Sequence, residues 1–216
     1  HEEILEKVRE TVEAGGTQVM IQGGLYPELG LAYYEKMLRL IKEAYPSITI
    51  HSFTATEIQH FAREAGLSIL ETLKRLQAAG LDSLPGGGAE ILSDRVRGRL
   101  CPNKATAAEW LAVQRTAHEL GIRSNASMLY GHIETLEERV DHLMKLRALQ
   151  DETHGFLTFI CFPFLPANTE LGKKVRQTSV WDDLRTMAIS RLMLDNFPHI
   201  KAYWVMLTVP AAQVAL

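Results

Sequence analysis

Cysteine is scarce in this chain of 216 residues: Cys101 and Cys161 are the only two, far apart and with no C-x-x-C. That excludes a disulfide framework and the usual zinc or dithiol motifs, and it suggests free thiols in a reducing, cytoplasmic compartment. Long apolar runs are missing too. The longest, "FLTFICFPFL", is too short to span a bilayer, and no signal peptide opens the chain. Charge of one sign is not in excess: the net value of −3 leaves no electrostatic footprint for nucleic acid or an anionic membrane. No two histidines stand at H-x-x-x-H spacing, so a mononuclear zinc site has no support. No G-x-G-x-x-G follows the first predicted strand, which weakens a dinucleotide-binding reading.

What is present is an ordinary globular composition, 46% hydrophobic and 23% charged, with a regular alternation of helix and strand. Helices are predicted over Glu2–Ala14, Leu31–Ala44, Ala55–Ala65, Ile69–Ala79, Ala107–Leu120, Leu136–Gln150 and Asp182–Asn196. Strands are predicted at "TQVMIQ", "ITIHSF", "LDSL", "IRSNASMLY", "GFLTFICF" and "KAYWVML". Thr54/Glu57, Ser68/Glu71, Thr106/Glu109 and Thr135/Glu138 have the spacing of capping boxes, which fixes several helix starts. Near-continuous apolar strands joined by helical crossovers mean a parallel sheet covered by helices. Unit lengths of roughly 30 to 40 residues favour a (β/α)8 barrel over a doubly wound sheet. Six units are visible, and both chain ends read as falling inside a longer protein, so the expectation is one partial barrel domain over residues 1–216, lacking its first and last strands.

Unusual residues gather after the strands. Gly23-Gly24 follow the first, Ser52 and Thr54 end the second, and Gly86-Gly87-Gly88 with Glu90 follow the third. Gly131, His132 and Glu134 follow the fourth, and Pro163, Pro166 and Asn168 the fifth. In a parallel α/β barrel the binding face lies at these strand ends. Three adjacent glycines in "LDSLPGGGAEIL" either turn the chain sharply or leave room for a ligand. His51, late in a strand, and His132, in a loop, are candidate ligand contacts. His60, His118 and His142 lie inside helices and read as surface or packing residues.

The segments "QGGLYP", "LDSLPGGGAEI", "CPNKATAAEWL", "SNASMLYGHIETLEERVDHL", "LRALQDETHGF" and "ISRLMLDNFPHIKAYWVMLTVPAAQVAL" resemble the radical S-adenosylmethionine (SAM) enzymes of the futalosine route to menaquinone. The resemblance runs in order along essentially the whole chain. "ASMLYGHIET" and "KAYWVML" are more like the aminofutalosine synthase branch, while "PGGGAEI" and "LQDET" are shared with the dehypoxanthine futalosine cyclase branch. The resemblance implies a radical SAM barrel, SAM and a [4Fe-4S] cluster as cofactors, a small-molecule substrate, and an external electron donor such as flavodoxin or ferredoxin. For the synthase branch it implies addition of a 5′-deoxyadenosyl radical to 3-[(1-carboxyvinyl)oxy]benzoate. A non-catalytic barrel fragment is the alternative of a different class.

Carried over by position, the resemblance gives Gly23 and Gly24 to the methionine end of SAM. It gives Thr54, Gly86, Gly87, Asn125 and Ser127 to the cofactor cavity. Ser127–Glu134 fits a G-x-I-x-G-x-x-E pattern, which places the backbone of Leu129 and Tyr130 along the adenine. His51, His132 and Tyr203 are candidate substrate contacts, and Glu90 is the candidate general base. The family's C-x3-C-x2-C cluster motif is absent, so no metal ligand is expected among these residues. Three departures stand out: Tyr26 replaces an expected His, His154 a Gly, and Cys161 a Pro.

Overall fold

A computed structural model describes residues 1–216. Ten α-helices and six strands alternate along it. The strands are β1 (Gln18–Ile21), β2 (Thr49–Ser52), β3 (Ser83–Leu84), β4 (Arg123–Tyr130), β5 (Phe156–Pro163) and β6 (His199–Lys201). They form one sheet in the order β1-β2-β3-β4-β5-β6, with parallel pairing, so β1 and β6 are its edges. The helices are α1 (Glu2–Glu13), α2 (Leu31–Ala44), α3 (Ala55–Ala65), α4 (Ile69–Ala79), α5 (Asp94–Leu100), α6 (Ala107–Glu119), α7 (Leu136–Thr153), α8 (Val180–Met193), α9 (Trp204–Leu207) and α10 (Val209–Val214). This is the succession of β/α units from which a (β/α)8 barrel is built.

Helix boundaries follow the local chemistry. Thr54 and Glu57 close a reciprocal capping box on α3, as do Thr135 and Glu138 on α7. Thr106 and Glu109 exchange the same bonds before α6, while Ser68 caps α4 through its hydroxyl alone. Gly66 and Gly80 end α3 and α4 in left-handed geometry. His154 ends α7 at φ 52°, the conformation a glycine adopts without steric cost.

One expectation is corrected and one helix is added. "KAYWVML" does not continue as a strand: β6 stops at Lys201, and Trp204–Leu207 form a short helix. The aromatic and β-branched composition suggested a strand, but Trp204 and Val205 are exposed and gain no sheet packing. Helix α5 was unforeseen because "DRVRGRL" carries three arginines and a glycine where apolar periodicity would be the signal.

The chain divides into two compact units, His1–Pro85 with Ala112–Ser124, and Gly86–Leu111 with Asn125–Leu216. In the first, Leu38, Ile41, Ile50, Ile58, Leu73 and Leu76 form a dry core. Tyr34, Phe53 and Phe61 pack on one another with centroids 4.2 to 5.5 Å apart. In the second, Trp110, Phe156 and Phe197 stack in succession, and Leu146, Phe159 and Cys161 are wholly buried. Several helical histidines belong to these interiors: His118 is bonded to Ser124, and His142 is fully enclosed.

Candidate functional site

The first glycine loop follows β1. An added Cβ at Gly23 or Gly24 would meet nothing within 4 Å, and Gly24 is left-handed at φ 75°. One side chain holds this loop from behind. Glu57 Oε1 accepts the Gly23 N–H at 2.9 Å, while Oε2 accepts the Thr54 N–H and hydroxyl, each at 2.8 Å. Glu57 is only 3% exposed. Thr54, expected as a cofactor contact, uses its hydroxyl in the cap, donating to Glu57 Oε2 and accepting the Glu57 N–H at 3.3 Å. His51 registers with Met20 and Ser83 on one sheet face, and its Nδ1 lies 2.7 Å from Ser83 Oγ. Its ring is buried at 2% exposure. Tyr26 is a half-exposed phenol reaching Glu28 at 3.3 Å.

The second glycine loop follows β3 and is built in the opposite way. A Cβ on Gly86 would lie 2.6 Å from the carbonyl carbon of Ala126 and 2.8 Å from the Asn125 oxygen, so this glycine permits contact with the β4 backbone. Ser127 Oγ donates to the Gly86 carbonyl, and Trp110 Nε1 to that of Gly87 at 3.2 Å. Arg97, 3% exposed, spends its guanidinium on the carbonyls of Gly88, Ala89 and Ala105 and pairs with no carboxylate. Glu90, at φ 45°, takes the Leu129 N–H on its carbonyl and pairs its carboxylate with Lys104 Nζ at 2.8 Å. Beyond it, His142 Nδ1 accepts the Leu92 N–H at 3.0 Å, and burial pushes the imidazole down to about 3, keeping it neutral.

Along β4 the side chains alternate. Ser124, Ala126, Met128 and Tyr130 are buried on one face, and Asn125, Ser127 and Leu129 lie on the other. Tyr130 donates its hydroxyl to Asp183 at 2.8 Å, and its carbonyl accepts the Phe164 N–H. Leu129 donates its N–H to Glu90 and receives His132 Nε2 on its carbonyl. The proposed adenine-lining backbone is therefore already hydrogen-bonded at these groups. His132, expected as a substrate contact, has both ring nitrogens engaged and its side chain enclosed. Glu134 gathers the Gly131 and His132 amides and Arg139. Burial alone would raise its carboxyl; the His132 ring and those two amides outweigh burial and bring it down to about 2. Tyr203 starts α9, set edge-on to Phe162 at 5.3 Å with Lys201 Nζ 5.6 Å from its ring.

The residues suit one implied cofactor and not the other. Open, partly left-handed glycine backbone after β1, free of side chains, suits the close approach of a ligand such as SAM. A [4Fe-4S] cluster needs thiolates. Cys161 is enclosed in β5, where burial pushes its thiol to about 12, and burial also raises that of Cys101. No group of three metal-ligating side chains comes together. Sequence reading missed Glu57, hidden by its own capping box, and Arg97, one of three arginines in "RVRGR" with no marker to single it out.

The radical SAM superfamily model matches residues 1–146, and the CofH/MqnC C-terminal region matches 153–216. The aminodeoxyfutalosine synthase of Thermus thermophilus is 50% identical over 219 residues, covering 100% of this chain and 59% of that protein. The 5-amino-6-(D-ribitylamino)uracil–L-tyrosine 4-hydroxyphenyl transferase 1 of Methanosarcina acetivorans is 45% identical, with the same coverages. The cyclic dehypoxanthine futalosine synthase of Streptomyces coelicolor is 42% identical, covering 100% and 54%. The chain thus spans about three fifths of the length of the relatives it matches. Among solved structures, methylornithine synthase (PylB) aligns with a TM-score of 0.71 at 16% identity, over 100% of this chain and 59% of that one. That likeness concerns the fold.

Proposed function

Because this chain belongs to the radical SAM superfamily, we propose that it forms the SAM-binding part of an aminofutalosine synthase. The observation that carries the reading is the 50% identity to the Thermus synthase along the whole chain. The open Gly23–Gly24 loop supports the cofactor side of it. In this reading the cluster ligands belong to residues outside this chain, since Cys101 and Cys161 do not suit the role. SAM, when bound with its cluster, supplies a carbon-centred radical. The chain's own residues seat its methionine end at Gly23 and Gly24 and present Asn125 and Ser127 from β4. His51 and Tyr203 serve a carboxylate-bearing substrate, and Glu90, tethered by Lys104, stands as the group that accepts a proton. Holding reactants in place and keeping water out is the protein's share of such chemistry.

The test uses the protein extended by the segment that supplies the cluster cysteines, gives it iron, sulfide, SAM and a strong reductant, and offers three substrates separately; the 216-residue chain alone is expected to form no 5′-deoxyadenosine. Conversion of 3-[(1-carboxyvinyl)oxy]benzoate to aminofutalosine is expected. Turnover of dehypoxanthine futalosine alone moves the assignment to the cyclase. Turnover of 5-amino-6-(D-ribitylamino)uracil with tyrosine alone moves it to the transferase activity named for the archaeal relative.

A further inference from the structure

Strands β5 and β6 bring a lysine and two aromatic rings together on one side of the sheet. From His154 to Thr169 and from Asn196 to Leu216 the chain holds no aspartate or glutamate, yet Lys201 ends β6. Along β5 the side chains alternate. Phe159, Cys161 and Pro163 are buried on one face, while Thr158, Ile160 and Phe162 stay partly open on the other. Lys201 registers with Ile160, which puts it on that open face beside Phe162. Tyr203 follows two residues later. Its ring stands edge-on to Phe162 with centroids 5.3 Å apart, and Lys201 Nζ lies 5.6 Å from its centre.

Packing alone does not account for the lysine. Lys104, Lys145 and Lys173 in the same unit each pair with a carboxylate. The Lys201 ammonium meets a ring instead. A lysine on an edge strand discourages unwanted strand pairing, but that role needs no aromatic partners. A cation and two rings on one open face match a ligand that joins the same two features: an aromatic ring bearing a carboxylate. The ring packs on the rings, and the ammonium takes the carboxylate in a charge-assisted hydrogen bond.

We propose that Lys201, with Phe162 and Tyr203, forms a subsite for an aromatic carboxylate and is the residue that selects it. The inference rests on the synthase reading and deepens it. The substrate of that reading, 3-[(1-carboxyvinyl)oxy]benzoate, carries two carboxylates, and one of them is attached to the ring. Rings and lysine together pick out that one. The benzoate end of the substrate is then held at β5 and β6, with the reacting vinyl ether at its other end.

The probes are 3-[(1-carboxyvinyl)oxy]benzoate and 2-phenoxyacrylate, which differ only in the ring carboxylate. Calorimetry uses the protein extended by the cluster-binding segment, as wild type, Lys201→Met, Lys201→Arg and Tyr203→Leu, with a thermal melt of each to confirm the fold. The wild type is expected to prefer the benzoate. Lys201→Met should lose about tenfold in affinity for it and none for phenoxyacrylate. Lys201→Arg, which keeps the charge, should retain most of the preference, and Tyr203→Leu should weaken both ligands alike. Equal loss for both ligands in Lys201→Met, or no loss for either, overturns the proposal, as does unchanged affinity in Tyr203→Leu. A wild type that binds both probes equally, or binds neither, overturns it as well. In each of these cases turnover of the carboxyvinyl ether by the same wild-type preparation leaves the synthase reading standing. Turnover of a different substrate alone overturns both.

Discussion

Two glycine clusters that look alike in sequence, Gly23-Gly24 and Gly86-Gly87-Gly88, are put to different uses. At the first, a methyl group would find empty space; at Gly86 it would strike the backbone of β4. The first is tied by one carboxylate, Glu57. The second is tied by one guanidinium, Arg97, with no carboxylate, helped by Trp110 and His142. Glycine therefore means room in one loop and close approach in the other, and the Cβ environment separates them. The run in "PGGGAE" exists at least in part so that a loop can lie against a strand.

The largest effect that tests this contrast is expected at Arg97. Arg97→Met removes a buried guanidinium and leaves the Gly88, Ala89 and Ala105 carbonyls without their donor. Stranding several buried acceptors should cost roughly 3–5 kcal/mol, read from urea denaturation. Arg97→Lys should recover part of that, because an ammonium reaches fewer carbonyls than the fork. If Arg97→Met lowers stability no more than Glu57→Gln does, the second loop is not the more tightly built one.

Gly86→Ala comes next. The new methyl meets main-chain atoms of Asn125 and Ala126, which cannot swing aside as a flexible side chain would. Overpacking of this kind costs about 2–3 kcal/mol. A melt like that of the wild type would show that β4 gives way, and the room-versus-contact distinction would lose its firmest case.

Acid sharpens the comparison through one buried histidine from each unit. Burial lowers His118 to about 4 and His142 to about 3, so both are neutral in the fold. Unfolded, each titrates near 6.5 and gains a proton that the fold refuses. The stability they contribute is complete above that value and is lost as pH falls toward 4 for His118 and 3 for His142. Between pH 7 and pH 5 each should remove about 2 kcal/mol. Denaturation curves at both pH values for wild type, His118→Gln and His142→Gln give the two shares. A wild type equally stable at both would contradict the enclosure of these rings.

Most of the fold could be read from the chain because its signals are local. Thr54, Ser68, Thr106 and Thr135 announced helices that begin where they should. One of the three departures from the family pattern is also local: His154 occupies a left-handed helix end, where glycine would be less strained. The site was less legible because its supports are distant in sequence. Nothing in "ATEIQ" says that Glu57 will reach back to Gly23. Nothing in "RVRGR" distinguishes Arg97, which is buried, from Arg95, which pairs with Glu138 at the surface. A loop position says nothing of a ring that closes on its own turn, as that of His132 does.

The smallest expected effect on stability is at Gly23, and there the contrast becomes functional. Gly23 lacks the positive φ of Gly24, and a Cβ on it meets nothing, so Gly23→Ala should move the unfolding free energy by less than about 0.5 kcal/mol. Its methyl would nevertheless occupy the open side of a loop whose amide is already held from within by Glu57. If that open side receives the methionine end of SAM, Gly23→Ala keeps its melt and loses affinity for S-adenosylhomocysteine in calorimetry. Gly98→Ala is the matched control: it too has empty space at Cβ but lies within α5, where alanine is the better helix former, so its melt should rise slightly and its affinity stay fixed. Unchanged affinity in both variants would mean that the space beside Gly23 is ordinary solvent, and that the first loop, like the second, has glycine for the path of the chain alone.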